Sequence, residues 1–287
     1  MLEAGIILVN KPQMITSHDI VIQTRRVLKI EKAGHVGTLD PMATGVLPIC
    51  VGRATKIAEF LQVERKQYRV SMQLGIVTDT QDITGKRIAL NLGRIPLPRD
   101  AQIREVIAEF VGEIEQIPPM YSALKIGGKK LYELARKGIE VERKPRKIRI
   151  HSIEVLKIAN DLIEMLVDCS KGTYMRTLCH DIGNRLGCGG CMSALIRTRV
   201  GRFALEQCIT TNQLENKEFE MISIDGALAD FAEFIVPEEK EFTIINGGKI
   251  EADLPDGFYR VKSAGGELLA ISRAEGGVLK LVKALWV

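Results

Sequence analysis

"RKIRIHSIEVLKIANDLIEMLVDCS", residues 146–170, decides the class of fold. Both halves are rich in Ile, Val and Leu, and they flank Ala159-Asn160-Asp161, so the stretch predicts two long strands folded back as a hairpin. Downstream, a helix is expected from Tyr174 to Leu186, closed by Gly187. Upstream, "PRDAQIREVIAEFVG" (98–112) predicts a helix with Asp100 as its cap and Gly112 as its stop. Nearer the N-terminus, "GIILVNKP" (5–12), "GVLPICVG" (45–52) and "KQYRVSMQLG" (66–75) read as strands. Helices are expected between them, the first capped by Thr16 or Ser17 and striped with Ile20, Val21, Val27 and Leu28, the second short over residues 53–62. Strands that alternate with helices but also come in hairpins define an α+β class, a mixed and mainly antiparallel sheet flanked by helices.

The texture changes near residues 225–237, where helix-like sequence gives way to short strand-like pieces separated by glycine pairs. The division expected is a larger unit over 1–232 and a small β-barrel over 233–287, the latter too small to stand alone and so packed on the former. Residues 117–149 read as an excursion over the surface of the larger unit.

Of the 287 residues, 46% are hydrophobic and 26% charged, the composition of a folded globular protein rather than a disordered or fibrous one. No apolar run approaches the roughly 18 residues of a membrane span, and the N-terminus has no signal-peptide pattern, so a cytoplasmic protein with no membrane partner is expected. Six scattered cysteines then read as reduced. Cys179-His180 and Cys188/Cys191 together could offer four zinc ligands, but they lack the paired-knuckle spacing of structural zinc, and packing is the expected role; no metal is predicted. The net charge of +4 says little by itself. Between residues 129 and 149, however, nine basic residues, among them Lys129, Lys130, Arg136, Lys137, Arg143 and Lys144, face only three acidic ones. Such a run is either a solvated face or a polyanion site, and Tyr121 and Tyr132 beside it add the stacking surfaces of single-stranded RNA binders.

The chemistry centres on "GHVGTLDPMATGVLP" (34–48), in which glycines and prolines surround His35 and Asp40. An aspartate is already a carboxylate at neutral pH and needs no activating base to act as a nucleophile. Asp-Pro alone is ordinary turn chemistry. The glycines around it permit the close approach that a long ligand would need.

"GHVGTLDPMATGVLPICVGRATK" resembles the aspartate motif of the bacterial tRNA pseudouridine synthase B (TruB) family. "NKPQMITSHD", "KQYRVSMQLGIVTDTQDITG", "IEQIPPMYSALKIGGKKLYELARKGIEV" and "CSKGTYMRTLCHDIG" resemble further family blocks in the same order, from about residue 5 to 203. Val36 and Met42 depart from the commonest residues of the motif.

The resemblance implies a pseudouridine synthase fold and isomerisation of uridine to pseudouridine at position 55 in the T-arm loop of tRNA, with no cofactor. It implies Asp40 as the nucleophile, toward either ribose C1′ or the uracil ring, and Arg176 as its ion-pair partner. Tyr68 is then the base-stacking tyrosine, Tyr174 and Leu195 line the uracil pocket, and His35 contacts the RNA as the target uridine turns out. The basic segment becomes an RNA-contacting insertion, and residues 233–287 a PUA-like RNA-binding domain. A monomer without an obligatory protein partner is expected. Two other readings share these features: a guide-RNA-dependent relative acting on ribosomal RNA, and a non-catalytic RNA-folding module.

Overall fold

The apolar run at the N-terminus is buried on both sides: Ile7 and Val9 enter one hydrophobic cluster, Ile6 and Leu8 another. A strand buried on both faces belongs in the middle of a sheet with layers above and below it. The computed structural model describes residues 4–62, 65–88 and 97–286, and places this strand so. The strands in chain order are β1 (Gly5–Lys11), β2 (Ala33–His35), β3 (Thr44–Val51), β4 (Lys66–Leu74), β5 (Gly112–Gln116), β6 (Lys125–Ile126), β7 (Lys129–Lys130), β8 (Arg146–Ala159) and β9 (Leu162–Cys169). They continue with β10 (Gly190–Val200), β11 (Phe203–Ala204), β12 (Ile222–Ser223), β13 (Ala232–Ile235), β14 (Lys249–Glu251), β15 (Gly257–Lys262), β16 (Leu268–Glu275) and β17 (Val278–Ala284).

Among the described residues, ten strands form one sheet in the order β12-β1-β3-β10-β4-β9-β8-β5, with β2 also on β3 and β11 on β10. The predicted 146–170 hairpin is β8 and β9, turning at Asn160 in the left-handed region (φ 55°). Its second strand alternates as a sheet with one core face should, burying Ile163, Met165, Val167 and Cys169. Helices Ser17–Leu28, Asp100–Ala108 and Met175–Arg185 supply residues to the cluster on that face.

Every neighbouring pair in the sheet is antiparallel except β3 and β10, which run parallel, Ile196 opposite Thr44 and Arg197 opposite Gly45. There the two backbones come unusually close. A Cβ on Gly45 (φ 108°) would lie 2.2 Å from the Arg197 carbonyl oxygen, so only glycine fits. A second close approach seats the helix Met175–Arg185 on β10, since a Cβ on Gly183 would meet the Gly190 nitrogen at 2.2 Å.

Local details are decided where several residues compete for one role. Thr16 caps the first helix in a reciprocal box with Asp19, which leaves the neighbouring Ser17 hydroxyl for the loop before β3. Asp100 is the first residue of its helix rather than its cap; the N-cap is Arg99, with no side-chain bond, and the helix ends at Ala108 while Gly112 opens β5. Within the 117–149 excursion, Lys125–Ile126 pairs with β7 across Gly127-Gly128. The short helix over 53–62 begins as a 3₁₀ turn, Gly52–Ile57, before Ala58–Leu61.

The C-terminal strands form a second sheet, β13-β15-β16-β17-β14, with a helix Glu238–Ile245 that the sequence reading missed. The expected barrel does not close: β13 and β14 are opposite edges, with no pairing between them among the described residues. The sheet docks through a cluster of Phe60, Phe231 and Phe258, with ring centroids 5.6–6.0 Å apart, and through Ile271 and Leu285, which join Ile6, Leu8 and Ile57. Asp225 and Glu233 pair with Arg260 and Lys262 along the same seam.

The β3–β10 junction gives a direct test. Gly45→Ala is expected to destabilise the protein by about 3 kcal/mol or more, because backbone rather than a movable side chain blocks the new methyl and φ is positive. Urea denaturation midpoints of the two proteins measure it.

Candidate active site

The segment between β2 and β3 is held from nearly every side. Val36 N–H donates to Pro48 O (2.9 Å), and Ala43 N–H to Asp40 O (3.0 Å). Ser17 Oγ accepts from Leu39 N–H (2.9 Å) and donates to Leu39 O (3.1 Å). Pro41 O receives Met14 N–H (2.8 Å) and the Lys11 ammonium (3.2 Å). Gly37 O and Val46 O, on either side of Asp40, both accept from the Arg197 guanidinium (2.9 and 2.8 Å). A loop rich in glycine and proline is thus rigid here because its carbonyls are tied to buried cations.

Asp40 presents its carboxylate to Arg176 at the start of the helix Met175–Arg185. Nε lies 2.8 Å from one oxygen, and an Nη 3.2 Å from the other. This is a two-point pair that fixes the carboxylate's plane as well as its place. The arginine side chain is 5% exposed and the aspartate 37%, so the cation is buried and the carboxylate faces the opening. Arg176 is oriented in turn by Thr80 O (3.2 Å) and Tyr121 O (2.8 Å). Buried Asp82 stands 3.9 Å from its far side. One Asp82 oxygen is occupied by Thr80 Oγ, Thr84 N–H and Thr84 Oγ, so the turn 78–85 is wired behind the arginine. The helix start is positioned by Gln116 at the end of β5, whose amide group bonds both N–H and C=O of Tyr174 (3.0 and 3.2 Å).

Asp40, Arg176, His35, Tyr68, Tyr174 and Leu195 all line one open cleft of about 590 Å³. All six single residues singled out from the sequence therefore meet, although they come from four separate stretches of chain. Tyr68 points inward from β4, and burial pushes its phenol above the ordinary range, so it enters any reaction as O–H. Burial, Arg197 and His18 hold His35 below its usual value, and its buried Nδ1 has no partner among the described residues. A neutral imidazole with an unmet polar atom is a ready contact for a bound ligand.

The basic segment is arranged differently. Lys129, Lys130, Arg136, Lys137, Arg143 and Lys144 do not line the cleft; Lys66, Arg146, Lys147 and Lys171 do. Lys130 and Arg136 both lie over the Tyr132 ring, 5.4 Å from its centroid, and so cover a surface expected to stack on bases. Arg143 turns inward to Pro118 O (3.1 Å) and Glu140 (3.0 Å).

Lys11, Ser17, Asp82, Gln116 and Arg197 are the residues the sequence reading missed. Each is buried and bonds to backbone or to another buried side chain, which leaves no spacing pattern. The cysteines are packing residues: Cys179 and Cys191 are buried, and burial raises both thiols. The His180 ring bonds Asn184 (3.0 Å), and no cluster of metal-ligating side chains occurs among the described residues. No helix among them is long and apolar enough to cross a membrane.

The fold is that of the pseudouridine synthases. The structures it resembles include a Cbf5-Nop10-Gar1 complex (TM-score 0.74, 27% identity, 98% of this chain and 85% of the other). An H/ACA RNP bound to a substrate RNA containing 2′-deoxyuridine matches similarly (TM-score 0.73, 25% identity, 99% of this chain and 85% of the other). Sequence is more specific. The model of the TruB family pseudouridylate synthase N-terminal domain matches residues 25–175, and that of the tRNA pseudouridylate synthase B C-terminal domain matches 176–240. Proteins named tRNA pseudouridine synthase B are 45% identical in Clostridium kluyveri (97% of this chain, 98% of the relative) and 48% identical in Alkaliphilus oremlandii (86% and 82%). The chain belongs to the TruB family, enzymes of the isomerase class that act on tRNA.

Lys11 supplies a pH test. Burial lowers its ammonium to about 8, against an opposing pull from Asp40. Raising the pH through about 8 therefore removes a positive charge and one donor from the loop that holds Asp40. Single-turnover rates are expected to fall on that alkaline limb, and in Lys11→Met to be low throughout with the limb gone.

Proposed function

We propose that this chain isomerises the uridine at position 55 in the T-arm loop of tRNA, with Asp40 as nucleophile toward a uridine turned out of its stack. The isomerisation of uridine in tRNA is the family's activity; the position, the turning-out and the residue roles are our reading. The observation that carries it is the asymmetry of the Asp40–Arg176 pair: a buried guanidinium grips a carboxylate that stays open to the cleft. Ionised and oriented, it is ready to react.

The chemistry asks little more. The C1′–N1 bond breaks and a C1′–C5 bond forms, while C5 loses a proton and N1 gains one, so no atom is supplied from outside and no cofactor is called for. A uridine inside a folded loop is out of reach of a carboxylate in a cleft, so the nucleotide must leave its stack at a cost of about a few kcal/mol. His35, Tyr68, Tyr174 and Leu195 line the space that would receive it. Tyr68 offers a ring for stacking, Leu195 an apolar wall, and the unmet His35 nitrogen a polar contact.

The cations that line the cleft, Arg146, Lys147 and Lys171, are the candidates for phosphate contacts beside the target, with the 117–149 insertion as the flank of the cleft. The C-terminal sheet supports an RNA-binding, PUA-like role for residues 233–287. Exposed Lys249, Lys280 and Arg273 stand in register across β14, β17 and β16, and like charges side by side suit an anionic partner. The enzyme works as a cytoplasmic monomer without guide RNA in this reading.

Two measurements test it. Asp40→Asn is expected to abolish pseudouridine formation on a T-arm stem-loop while RNA affinity is nearly unchanged; wild-type turnover by the variant would overturn the assignment, and failure of the unassisted wild-type protein would favour a guide-dependent enzyme. In the second, Arg146→Ala and Lys171→Ala should each weaken RNA binding and reduce the slope of log K against log salt by roughly 0.7 to 0.9 for each phosphate no longer neutralised. Lys144→Ala should leave the slope unchanged.

A further inference from the structure

Arg197 lines the cleft but is only 1% exposed, and no carboxylate is among the groups that influence it electrostatically. A buried unpaired charge is costly and needs compensation from elsewhere. It comes from neutral groups. Nε donates to Val46 O on β3 (2.8 Å), an Nη donates to Gly37 O in the Asp40 loop (2.9 Å), and the Tyr68 phenol, directly across on β4, favours the charge electrostatically.

The register explains how one side chain reaches both carbonyls and lies beside Tyr68. On β10, Arg197 lies opposite Gly45 of β3 on one side and opposite Tyr68 of β4 on the other. Gly45 has no side chain, so the backbones close up and the guanidinium reaches the carbonyls on either side of the Asp40 turn. Tyr68, as a direct cross-strand neighbour, presents its ring to the same group.

We infer that Arg197 is a positioning residue for the isomerisation: by tying the Asp40 loop to β3 directly across from Tyr68, it sets the distance and angle between that loop and the Tyr68 ring. This rests on the proposed roles of Asp40 and Tyr68. A planar fork suits the task, because its donors are fixed relative to one another and can hold a strand and a loop at once. An ammonium cannot span the same partners. The cation also works against the burial that raises the Tyr68 phenol, so its removal should raise that phenol further.

The test uses the full-length protein with Arg197→Met and Arg197→Lys, assayed by single-turnover pseudouridine formation on a T-arm stem-loop, RNA binding, thermal midpoint, and ultraviolet titration of Tyr68 against a Tyr68→Phe baseline. In Arg197→Met, the rate at saturating RNA should fall about 100-fold, the loss that a displacement of about 1 Å brings, while RNA affinity changes less than about threefold. Its Tyr68 titration should move to higher pH. Arg197→Lys should recover only part of the rate. Wild-type single-turnover rate in either folded variant overturns the inference, as does a lowered thermal midpoint with the rate per folded molecule and the Tyr68 titration unmoved. Should the Met variant fail to fold, the Lys variant decides by the same rate and titration. Asp40→Asn run alongside separates the cases: if it is active, the functional reading itself fails, and if it is inactive while the Arg197 variants are unimpaired, only this inference falls.

Discussion

Everything at the cleft depends on the close contact of β3 with β10 at Gly45. The register of this parallel pairing sets the loop that enters β3 beside the C-terminal half of β10, within reach of Arg197. The absence of a Cβ at residue 45 lets the backbones meet, and the meeting carries Asp40 toward Arg176, which arrives on a helix from another part of the chain.

Around that junction the protein buries Lys11, Arg176 and Arg197, and among the described residues Arg176 is the one of these with a close carboxylate partner. Burying charge is tolerable because each cation satisfies carbonyls that the irregular loops would otherwise leave unbonded. The cations therefore do two things at once. They hold the loop, and they make the cleft floor positive beneath a substrate whose backbone is negative.

The sheet was largely legible from sequence because its cues are local. Alternation in β9, the Asn160 turn and the two-sided burial of β1 all follow from residues within one strand length. The helix starts were less legible, since Thr16 and Ser17 are equally good caps and the choice between them was made by Leu39, more than twenty residues away. For the site, Asp40, Arg176, Tyr68, Tyr174, Leu195 and His35 could be named because they stand in motifs that resemble a family. Arg197 and Gln116 could not, because a buried polar side chain bonded to a distant backbone looks in sequence like any surface residue. The basic segment was legible only as a dense run of charge, because covalent neighbours do not say which way side chains turn: Arg146 and Lys147 line the cleft, whereas Arg143, Lys130 and Arg136 bind their own segment.

The chain by itself determined the α+β class, the carboxylate and the residues that accompany it, since periodicity and motif are properties of neighbours along the chain. Only the tertiary structure decided which cations face the cleft, how the Asp40 loop is held, and that the C-terminal sheet stays open. Each of these depends on strand order and register, which join residues far apart in sequence and leave no mark on the residues between them.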